Sequence, residues 1–402
     1  MAVVDKRVKK ALGRHRRGDV AGAVKLLARV LADNPDDFDG NNLLGAFYAE
    51  LGELDQAERH LERIRARAAS GAVGVVATAQ VLTNLGNVWR LRGDIERAAD
   101  FFGQALEASP GLPQPRYNRV RIWEDTGRNL EAEAEYRRIL AAKADFLPAR
   151  HGLARTLQQL GRHEEAIAEY DRLLPQAKGA LAEVAVFARA ALAGETVPRP
   201  PASYVGELFD NYAGYFEAHV VERLEYSAPR QLRASYPDDA RFANALDLGC
   251  GTGLAGAAFG DLCGRLIGID LAPRMIAEAG RREIYHHLEC ADIVSFLRRA
   301  RERFDLFLAT DVFTYVGDLE EVFAAVAGAA EPVGAELAFS VEEFAGPGFE
   351  LRPSCRYGHS QAYVAELAGR HAMTIAESRA IDLRHESQGW IPGRLYRLAI
   401  PA

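Results

Sequence analysis

Cysteine is scarce in this chain of 402 residues, and its four cysteines form neither a C-x-x-C pair nor a cluster. This spacing provides no disulfide framework and no set of metal ligands, so we predict reduced thiols and no metal site. The chain also lacks an apolar run of eighteen residues, and a membrane partner is therefore not expected. Its first residues are charged, which argues against a secretory leader and predicts a cytoplasmic protein.

An excess of basic residues is also lacking. Residues 1–200 carry 30 Lys and Arg against 27 Asp and Glu, so the net charge of −7 arises in the second half. Neither half carries the positive charge that nucleic-acid binding requires, and no nucleic-acid partner is expected. The length is too great for one hydrophobic core and predicts two or three domains.

In the first half of the chain, glycines recur at steps of 34, 41, 34 and 34 residues, at Gly18, Gly52, Gly93, Gly127 and Gly161. An alanine stands five residues after each glycine, and four residues further on stands Leu27, Leu61, Phe102, Tyr136 or Tyr170. This period, with small residues at helix crossings and large ones at the packing face, resembles the tetratricopeptide repeat. Five helix pairs are predicted, beginning near residues 4, 38, 79, 113 and 147, with a capping helix over about 180–194.

Such helix pairs stack into an all-α solenoid with a concave face that holds a peptide or an extended segment. The same surface would also suit dimerisation or scaffolding, which makes a homo-oligomer the alternative. We favour a peptide or protein partner that binds through the repeat domain.

A different glycine pattern stands at Leu246–Gly253, which reads LDLGCGTG. An apolar strand runs into Gly249, Gly251 and Gly253, and glycines there permit a sharp turn and a close approach of the backbone to a ligand. Asp247 precedes this turn. A carboxylate would repel the pyrophosphate of NAD or FAD, whereas it can bind the ammonium group of S-adenosylmethionine. The overlapping G-x-G-x-x-G match, which ends at Gly256, is therefore the weaker interpretation.

Two further acids follow predicted strands. Asp270 ends the second strand, where an acid accepts hydrogen bonds from a ribose diol in nucleotide-binding α/β folds. Asp292 follows the third strand and resembles the methyltransferase acid that binds the exocyclic amine of adenine, with Ile293 against the ring. We assign three more residues to the same donor site, namely Leu271, Met275 and Thr310.

The proline-rich run 197–201 breaks the helical pattern and predicts a stiff linker. Beyond it, short apolar strands alternate with helical stretches, near 244–249, 265–270, 284–289, 304–309, 334–340, 373–380 and 395–400. This alternation predicts a Rossmann-like α/β domain with a mostly parallel, seven-stranded sheet that an antiparallel hairpin closes. The arrangement resembles the class I methyltransferase fold. The predicted domains are a repeat solenoid over 1–195, a linker over 196–203 and a methyltransferase domain over 204–402.

Longer segments also carry a family resemblance. Residues 208–229, together with 339–343 and 351–364, resemble bacterial class I methyltransferases that carry tetratricopeptide repeats at their amino end. The resemblance implies that an aromatic residue closes over the donor, which here corresponds to Tyr212 and, as a second candidate, Tyr215. The chain departs from the family at Glu217, where the family has Asp. It also lacks the Asn-Pro-Pro-Tyr motif of many amino-group methyltransferases.

The acceptor site is expected beyond the fourth and fifth strands, because ligands of open α/β sheets lie at the carboxyl ends of strands. His359 is our candidate for a general base, since an unperturbed histidine titrates near neutrality. Asp311 and Tyr357 are further catalytic candidates, and the substrate-binding candidates are Arg352, Arg356 and Tyr315.

The favoured function is transfer of a methyl group from S-adenosylmethionine to a nucleophile on a peptide or protein. The pattern leaves the acceptor atom open among N, O, S and C. One alternative is a small-molecule methyltransferase whose repeats serve assembly. Another alternative is a scaffold that binds S-adenosylmethionine without turnover. The last alternative is a nicotinamide oxidoreductase.

Overall fold

The computed structural model describes residues 6–69, 73–212, 224–386 and 389–402. The chain divides into two compact units, Met1–Glu165 and Ala166–Ala402. This division falls inside a helix, at a point earlier in the chain than the predicted boundary near residue 195. Among the helices of these ranges, none is long and apolar enough to cross a membrane.

Helices alone make up the described part of the first half. They are α1 (Lys6–His15), α2 (Val20–Asp33), α3 (Phe38–Glu50), α4 (Leu54–Ala69), α5 (Val75–Leu91), α6 (Ile95–Ala108), α7 (Pro113–Asp125), α8 (Asn129–Ala142), α9 (Leu147–Gln159), α10 (His163–Leu173) and α11 (Ala180–Leu192). The predicted pairs correspond to α1–α2 through α9–α10, and α11 corresponds to the predicted capping helix.

The periodic residues have the roles that the repeat predicts. The five recurring glycines lie in the turns within the helix pairs with φ between 74° and 83°, a conformation that glycine adopts without strain. The five alanines and the five large side chains that follow them are fully buried. Aspartates cap several of the helices; for example, the Asp19 side chain accepts a hydrogen bond from Gly22 N at 2.9 Å.

Nine strands of the described second half form one sheet. They are β1 (Ala245–Leu248), β2 (Leu266–Asp270), β3 (His287–Cys290), β4 (Leu306–Ala309), β5 (Ala335–Glu343), β6 (Phe349–Leu351), β7 (Tyr357–His359), β8 (Thr374–Glu386) and β9 (Gly389–Ile400). Strands β3, β2, β1, β4 and β5 pair in this order and in parallel. The antiparallel hairpin β8–β9 joins β5 through β9. The predicted fold class is confirmed, and the short strands β6 and β7 are additional.

The central parallel strands β1, β2 and β4 are mostly apolar and buried because helices cover the sheet. These helices are α12 (Ala202–Tyr212), α13 (Ala228–Arg233), α14 (Leu254–Phe259), α15 (Pro273–Gly280), α16 (Ile293–Arg299), α17 (Glu320–Ala329) and α18 (Gln361–Arg370). One core cluster packs β1, β2, β4 and β5 against α16, α17 and α18, and another packs the opposite side against α13 and α14.

Two irregular additions extend the carboxyl edge of the sheet. Strand β7 pairs in parallel with the last two residues of β5, and β6 pairs with β7. The β8–β9 hairpin is longer than predicted, and its tip lies beyond the pairing of Glu342 with Gly393. Residues of β7 and β8 therefore reach the edge where β1–β4 end.

Candidate active site

A cavity of about 400 Å³ lies at the carboxyl ends of β1–β4. The glycine-rich turn, the ends of the strands and α12 supply most of its wall, and the remainder comes from residues 199–200, 224–226 and 315–322, from Arg356 just before β7 and from Arg384 of β8. This is the position at which open parallel sheets bind ligands. The cavity has a donor end near β1–β3 and a far end near residues 311, 356 and 384.

The glycine-rich turn approaches the cavity with its backbone. Gly249, Gly251 and Gly253 have φ of 69°, 54° and 90°, which strains any residue other than glycine. Gly249 and Gly251 line the cavity, whereas Gly253 caps α14 outside the lining. A Cβ on Gly249 would lie 2.7 Å from Val312, so the turn also packs closely against the segment after β4.

Asp270 anchors the turn at the end of β2. One carboxylate oxygen accepts a hydrogen bond from Gly251 N at 2.9 Å, and the other accepts one from Ala272 N at 2.8 Å. Asp270 and Leu271 line the cavity, as predicted for the donor site. Met275 lies instead in the core beneath them, where it packs with Ala272, and it is absent from the lining.

Asp292 begins α16, and its side chain accepts a hydrogen bond from Ser295 N at 2.8 Å. It is solvent-exposed at the cavity wall, next to Ala291 and Ile293. The cap uses Oδ1 and leaves Oδ2 for a ligand donor. An acid beside two apolar side chains is the arrangement that an adenine ring with an exocyclic amine requires.

Asp247 does not lie where the sequence predicts. Its carboxylate is buried under the turn, outside the cavity lining, and accepts a hydrogen bond of 2.6 Å from the Tyr285 hydroxyl. Burial raises its pKa from 3.8 to about 7, and the Tyr285 hydrogen bond opposes this shift only in part. The predicted direct contact between Asp247 and the ammonium group of a ligand is therefore corrected: Asp247 supports the turn from beneath.

Tyr285 also explains the overlapping G-x-G-x-x-G match. A Cβ on Gly256 would overlap its hydroxyl, and Cβ atoms on Gly253 and Gly268 would lie 3.1 and 2.9 Å from its ring. Glycine occupies these positions because the tyrosine ring occupies the space. Tyr285 is absent from our predicted site, since a single tyrosine between two strands gives no pattern.

Asp311 has an unusual backbone conformation at the far end of the cavity. Its φ of 57° is left-handed, and its N–H donates to the buried Ser340 hydroxyl at 2.8 Å. Such strain is concentrated at functional sites. The carboxylate lines the cavity together with Thr310, both as predicted. Burial raises the pKa of Asp311 above its ordinary value, while Arg384 and Arg356 lower it.

Arg384 holds three carboxylates and is missing from the sequence-based site. Its Nη1 donates to Asp311 at 2.9 Å, its Nε donates to Glu386 at 2.8 Å, and its Nη2 donates to Glu342. The side chain is 2% exposed. The predicted strand at 373–380 ended too early to include it. The charge alternation of β8, DLRHE over residues 382–386, is the signal that was available.

Arg356 and Tyr315 both line the far end, in agreement with their assignment to the acceptor region. The Arg356 Nε donates to the Tyr315 hydroxyl at 3.3 Å, and its Nη1 donates to Glu386. Burial acts to lower the pKa of Arg356, but Tyr315 and the nearby carboxylates raise it well above its ordinary value, so the guanidinium is charged. The Tyr315 ring in turn contacts Phe209 of α12, with ring centroids 5.0 Å apart.

Three predicted residues near β7 lie outside the cavity lining. His359 is buried, its Nε2 donates to the Gly317 carbonyl at 2.9 Å, and burial lowers its pKa to about 4. Tyr357 donates to the Val197 carbonyl at 2.8 Å. Arg352 donates to Glu342 and to the Glu343 carbonyl. These partners hold β7 against its surroundings, which corrects the catalytic assignment of His359 and Tyr357 and the substrate assignment of Arg352.

Tyr212 is the last residue of α12, and its side chain lies outside the described part of the structure, as does all of Tyr215. Earlier residues of the same helix, Val205 and Phe209, line the cavity. The helix that precedes the predicted closing segment therefore does contribute to the site.

The predicted linker also contributes to the cavity wall. The Val197 carbonyl accepts the Tyr357 hydrogen bond, and the Pro198 carbonyl accepts one from Asp318 N at 2.9 Å. The next two residues, Arg199 and Pro200, line the cavity. A Cβ on Gly317 would lie 2.6 Å from the Pro198 carbonyl oxygen, so this glycine permits the close approach.

The donor end fits S-adenosylmethionine. Asp270 lines this end, and a carboxylate, whose oxygens can each accept more than one hydrogen bond, suits the hydroxyls of a ribose. Asp292 and Ile293 suit the adenine, and two carboxylates at the donor end disfavour a pyrophosphate. In the described ranges, no cluster of three or more His, Cys, Asp or Glu is arranged to bind a metal.

Comparison with known proteins agrees with this geometry. Residues 246–337 match the family model of a methyltransferase domain, and residues 38–110 and 125–190 match models of the tetratricopeptide repeat. No curated protein matches the chain.

Similar solved structures include both kinds of domain. The N-methyltransferase NodS from Bradyrhizobium japonicum WM9, in complex with S-adenosyl-L-homocysteine, is 20% identical; the match covers 49% of this chain and 99% of that chain, with a TM-score of 0.41. A Burkholderia thailandensis 1,6-didemethyltoxoflavin-N1-methyltransferase is 18% identical, over 52% and 93%, with a TM-score of 0.41. A thermophilic tetratricopeptide-repeat protein from Thermus thermophilus is 24% identical, over 42% and 90%, with a TM-score of 0.37.

Proposed function

Because this chain is an S-adenosylmethionine-dependent methyltransferase with tetratricopeptide repeats, we propose that its methyl acceptor is a peptide or protein that the repeats recruit. The observation that carries this proposal is the presence of an array of repeats, a fold that binds extended segments, in the same chain as the donor cavity. A catalytic domain that acts on a freely diffusing metabolite needs no such array.

The donor supplies a methyl group on a positively charged sulfur, which a nucleophile displaces. In our proposal Asp270 holds the ribose and Asp292 holds the adenine amine. The backbone of Gly249 and Gly251 approaches the donor, and Phe209 excludes water on the side of α12. Orientation of the two reactants in this way accounts for about 7–11 kcal/mol of a barrier in well-aligned reactions.

Amide side chains on the first helices of three repeats support a peptide partner. The Asn84 amide on α5 donates to Asn42 on α3 at 2.9 Å, and the Asn118 amide on α7 donates to Asn87 at 2.8 Å. Gln114 in turn donates to Asn118 at 2.9 Å. Each amide has both donors and acceptors, and Asn84 and Gln114, which solvent reaches, keep part of that capacity for the N–H and C=O groups of a peptide backbone, whereas Asn118 is buried.

The test is methylation of a cell extract that has been separated into a macromolecular and a small-molecule fraction. The full chain is incubated with each fraction and with S-adenosylmethionine labelled in its methyl group. We expect label in the macromolecular fraction, in protein that mass spectrometry then identifies. Label confined to the small-molecule fraction would contradict the proposal and leave the repeats an assembly role.

A pair of variants tests recruitment by the repeats. Asn84→Ala combined with Gln114→Ala removes two of these amides that solvent reaches, and we expect a higher KM for the protein substrate with little change in kcat. Gln104→Ala, an exposed position on α6, is the matched control and should leave KM unchanged. If the double variant and the control have the same KM, these amides do not take part in substrate binding.

A further inference from the structure

Three polar side chains face the far end of the cavity from separate segments, namely Tyr226, Asp311 and Arg356. The fold brings them together although 130 residues separate the first from the last. Each retains hydrogen-bonding capacity that no other described residue uses.

The Tyr226 hydroxyl is buried, and the residue is 8% exposed. It lies beside Thr310 and has no partner of good hydrogen-bond geometry in the described parts of the chain. A buried hydroxyl without a partner is unfavourable by about 1–3 kcal/mol, so its presence at a cavity wall points to a ligand that supplies the partner.

Asp311 uses only one of its two carboxylate oxygens within the described structure. Oδ1 accepts from Arg384 at 2.9 Å and from the Thr314 hydroxyl at 3.4 Å, and Oδ2 has no hydrogen-bond partner in the same ranges. The side chain is 24% exposed. Oδ2 is therefore a hydrogen-bond acceptor that is open to the cavity. Its residue directly follows Thr310, which we assign to the donor site.

Arg356 has the complementary group. Its Nε and Nη1 donate to Tyr315 and Glu386, whereas Nη2 makes no hydrogen bond to the described residues. The side chain is 24% exposed. The cavity end thus offers a carboxylate acceptor, a guanidinium donor and a hydroxyl that can do either.

The charges around this end are balanced. Three arginines, Arg352, Arg356 and Arg384, pair with three carboxylates, Asp311, Glu342 and Glu386. A substrate phosphate or isolated carboxylate would bring an uncompensated charge into this cluster. An α-amine must lose its ammonium proton before it reacts, and the resulting neutral amine next to a carbonyl adds no net charge, with N–H toward Asp311 and C=O toward Arg356.

We infer that this end of the cavity binds the free amino terminus of a peptide, with its α-nitrogen at Asp311 and Tyr226 and its first carbonyl oxygen at Arg356. The inference rests on the proposed function and specifies which atom of the peptide is methylated. In a peptide the carbon next to the α-amine carries a carbonyl, whereas the carbon next to a lysine ε-amine carries none, so the ε-amine would leave the Arg356 Nη2 without a partner.

The reaction that this placement implies is N-methylation of the α-amine. The ammonium form of the terminus first gives one proton to Asp311, which passes it to solvent. The nitrogen lone pair then forms a bond to the methyl carbon while the carbon–sulfur bond breaks, and its electron pair remains on sulfur. The products are the methylammonium terminus, which loses a proton, and S-adenosylhomocysteine.

The test compares four probe pools with the full chain and labelled S-adenosylmethionine. The pools are random heptapeptides and free amino acids, each with a free and an acetylated amino group. Label in the free heptapeptides alone, located on the α-nitrogen by mass spectrometry, is the expected result. Equal label in acetylated heptapeptides would overturn the inference and leave the proposed function standing. Label in free amino acids alone would support the amine site and contradict the peptide acceptor.

Binding provides a readout that is independent of turnover. In the presence of S-adenosylhomocysteine, Tyr226→Phe is expected to weaken binding of the free heptapeptide pool about 2- to 10-fold, the loss of one hydrogen bond. Its affinity for S-adenosylhomocysteine should not change. Tyr396→Phe removes another buried hydroxyl, outside the cavity lining, and should change neither affinity. Equal peptide binding by both variants would remove Tyr226 from the site.

Discussion

The Tyr285 hydroxyl donates a 2.6 Å hydrogen bond to the buried carboxylate of Asp247. The acid of the glycine-rich turn is thus bound to a tyrosine that precedes β3, and three glycines leave room for that tyrosine. The turn, β2 and the segment before β3 consequently form one packed arrangement beneath the donor end of the cavity.

The raised pKa of Asp247 predicts a pH-dependent stability. Between pH 3.8 and about 7 the unfolded chain releases the proton of Asp247 while the folded chain retains it, so this group lowers the free energy of unfolding as pH rises through that range. The full loss, about 4 kcal/mol for this shift, is present above pH 7. Asp247→Asn should therefore stabilise the protein at pH 8 and have a much smaller effect at pH 4.5, as measured by urea unfolding. The fully exposed Asp238→Asn is the control; a pH-independent effect of Asp247→Asn would contradict the assignment.

Substitution at Gly256 tests the packing of Tyr285. Gly256→Ala places a Cβ against the tyrosine hydroxyl, and we expect destabilisation of about 1–3 kcal/mol, the range for overpacked cores. Tyr285→Phe removes the hydroxyl, the nearest of the overlapped atoms, but keeps the ring carbon Cζ, which would lie 2.5 Å from the new Cβ. In the double variant, part of the Gly256→Ala effect should therefore be lost. Additive effects of the two substitutions in urea unfolding would show that the two residues are not in contact.

Removal of Arg384 should leave three carboxylates without their shared cation. Arg384→Met keeps much of the side-chain volume but not the charge, and we expect a loss of about 3–5 kcal/mol at pH 7.5. The loss should decrease at pH 5, because protonation relieves the unpaired acids. Arg379→Met, at an exposed position of the same strand, should lower stability by well under 1 kcal/mol. Similar unfolding midpoints for the two variants would contradict the role of Arg384.

Donor binding depends on Asp270 if it holds the ribose. Asp270→Asn keeps the shape but removes the charge, and the affinity for S-adenosylhomocysteine should fall about 10- to 100-fold in calorimetry. Asp261→Asn, on the surface near α14, should bind as the unaltered protein does. Tighter binding of NADH than of S-adenosylhomocysteine by the unaltered chain would contradict the choice of cofactor.

Periodicity predicted much of the fold. The repeated glycines, alanines and large residues each have one structural role, so their spacing alone gave the helix pairs. The proposed donor residues Asp270 and Asp292 could be picked out because each stands at, or just after, the end of a predicted strand. Both the repeat spacing and the acids at strand ends are patterns within short stretches of sequence, so they can be recognised without the fold.

Three other residues at or beneath the cavity could not be located in this way. Arg384, Tyr226 and Tyr285 reach the site through pairing between distant segments and through the length of a hairpin, and neither leaves a local signal. The prediction for His359 was wrong for a different reason. Histidine is a residue type that often acts as a base, but the fold buries His359 outside the cavity lining, and burial keeps it neutral.

The segment at 196–200 attaches to the α/β domain through the main-chain carbonyls of Val197 and Pro198 and through an ion pair between Arg199 and Glu321. Attachment by carbonyls depends on the path of the chain and only weakly on which side chains it carries. We therefore expect Val197 to tolerate exchange and the stretch to be intolerant of deletion. A fragment that begins after residue 200 would lose part of its cavity wall, so a catalytic fragment should begin no later than Ala166, where the second compact unit starts.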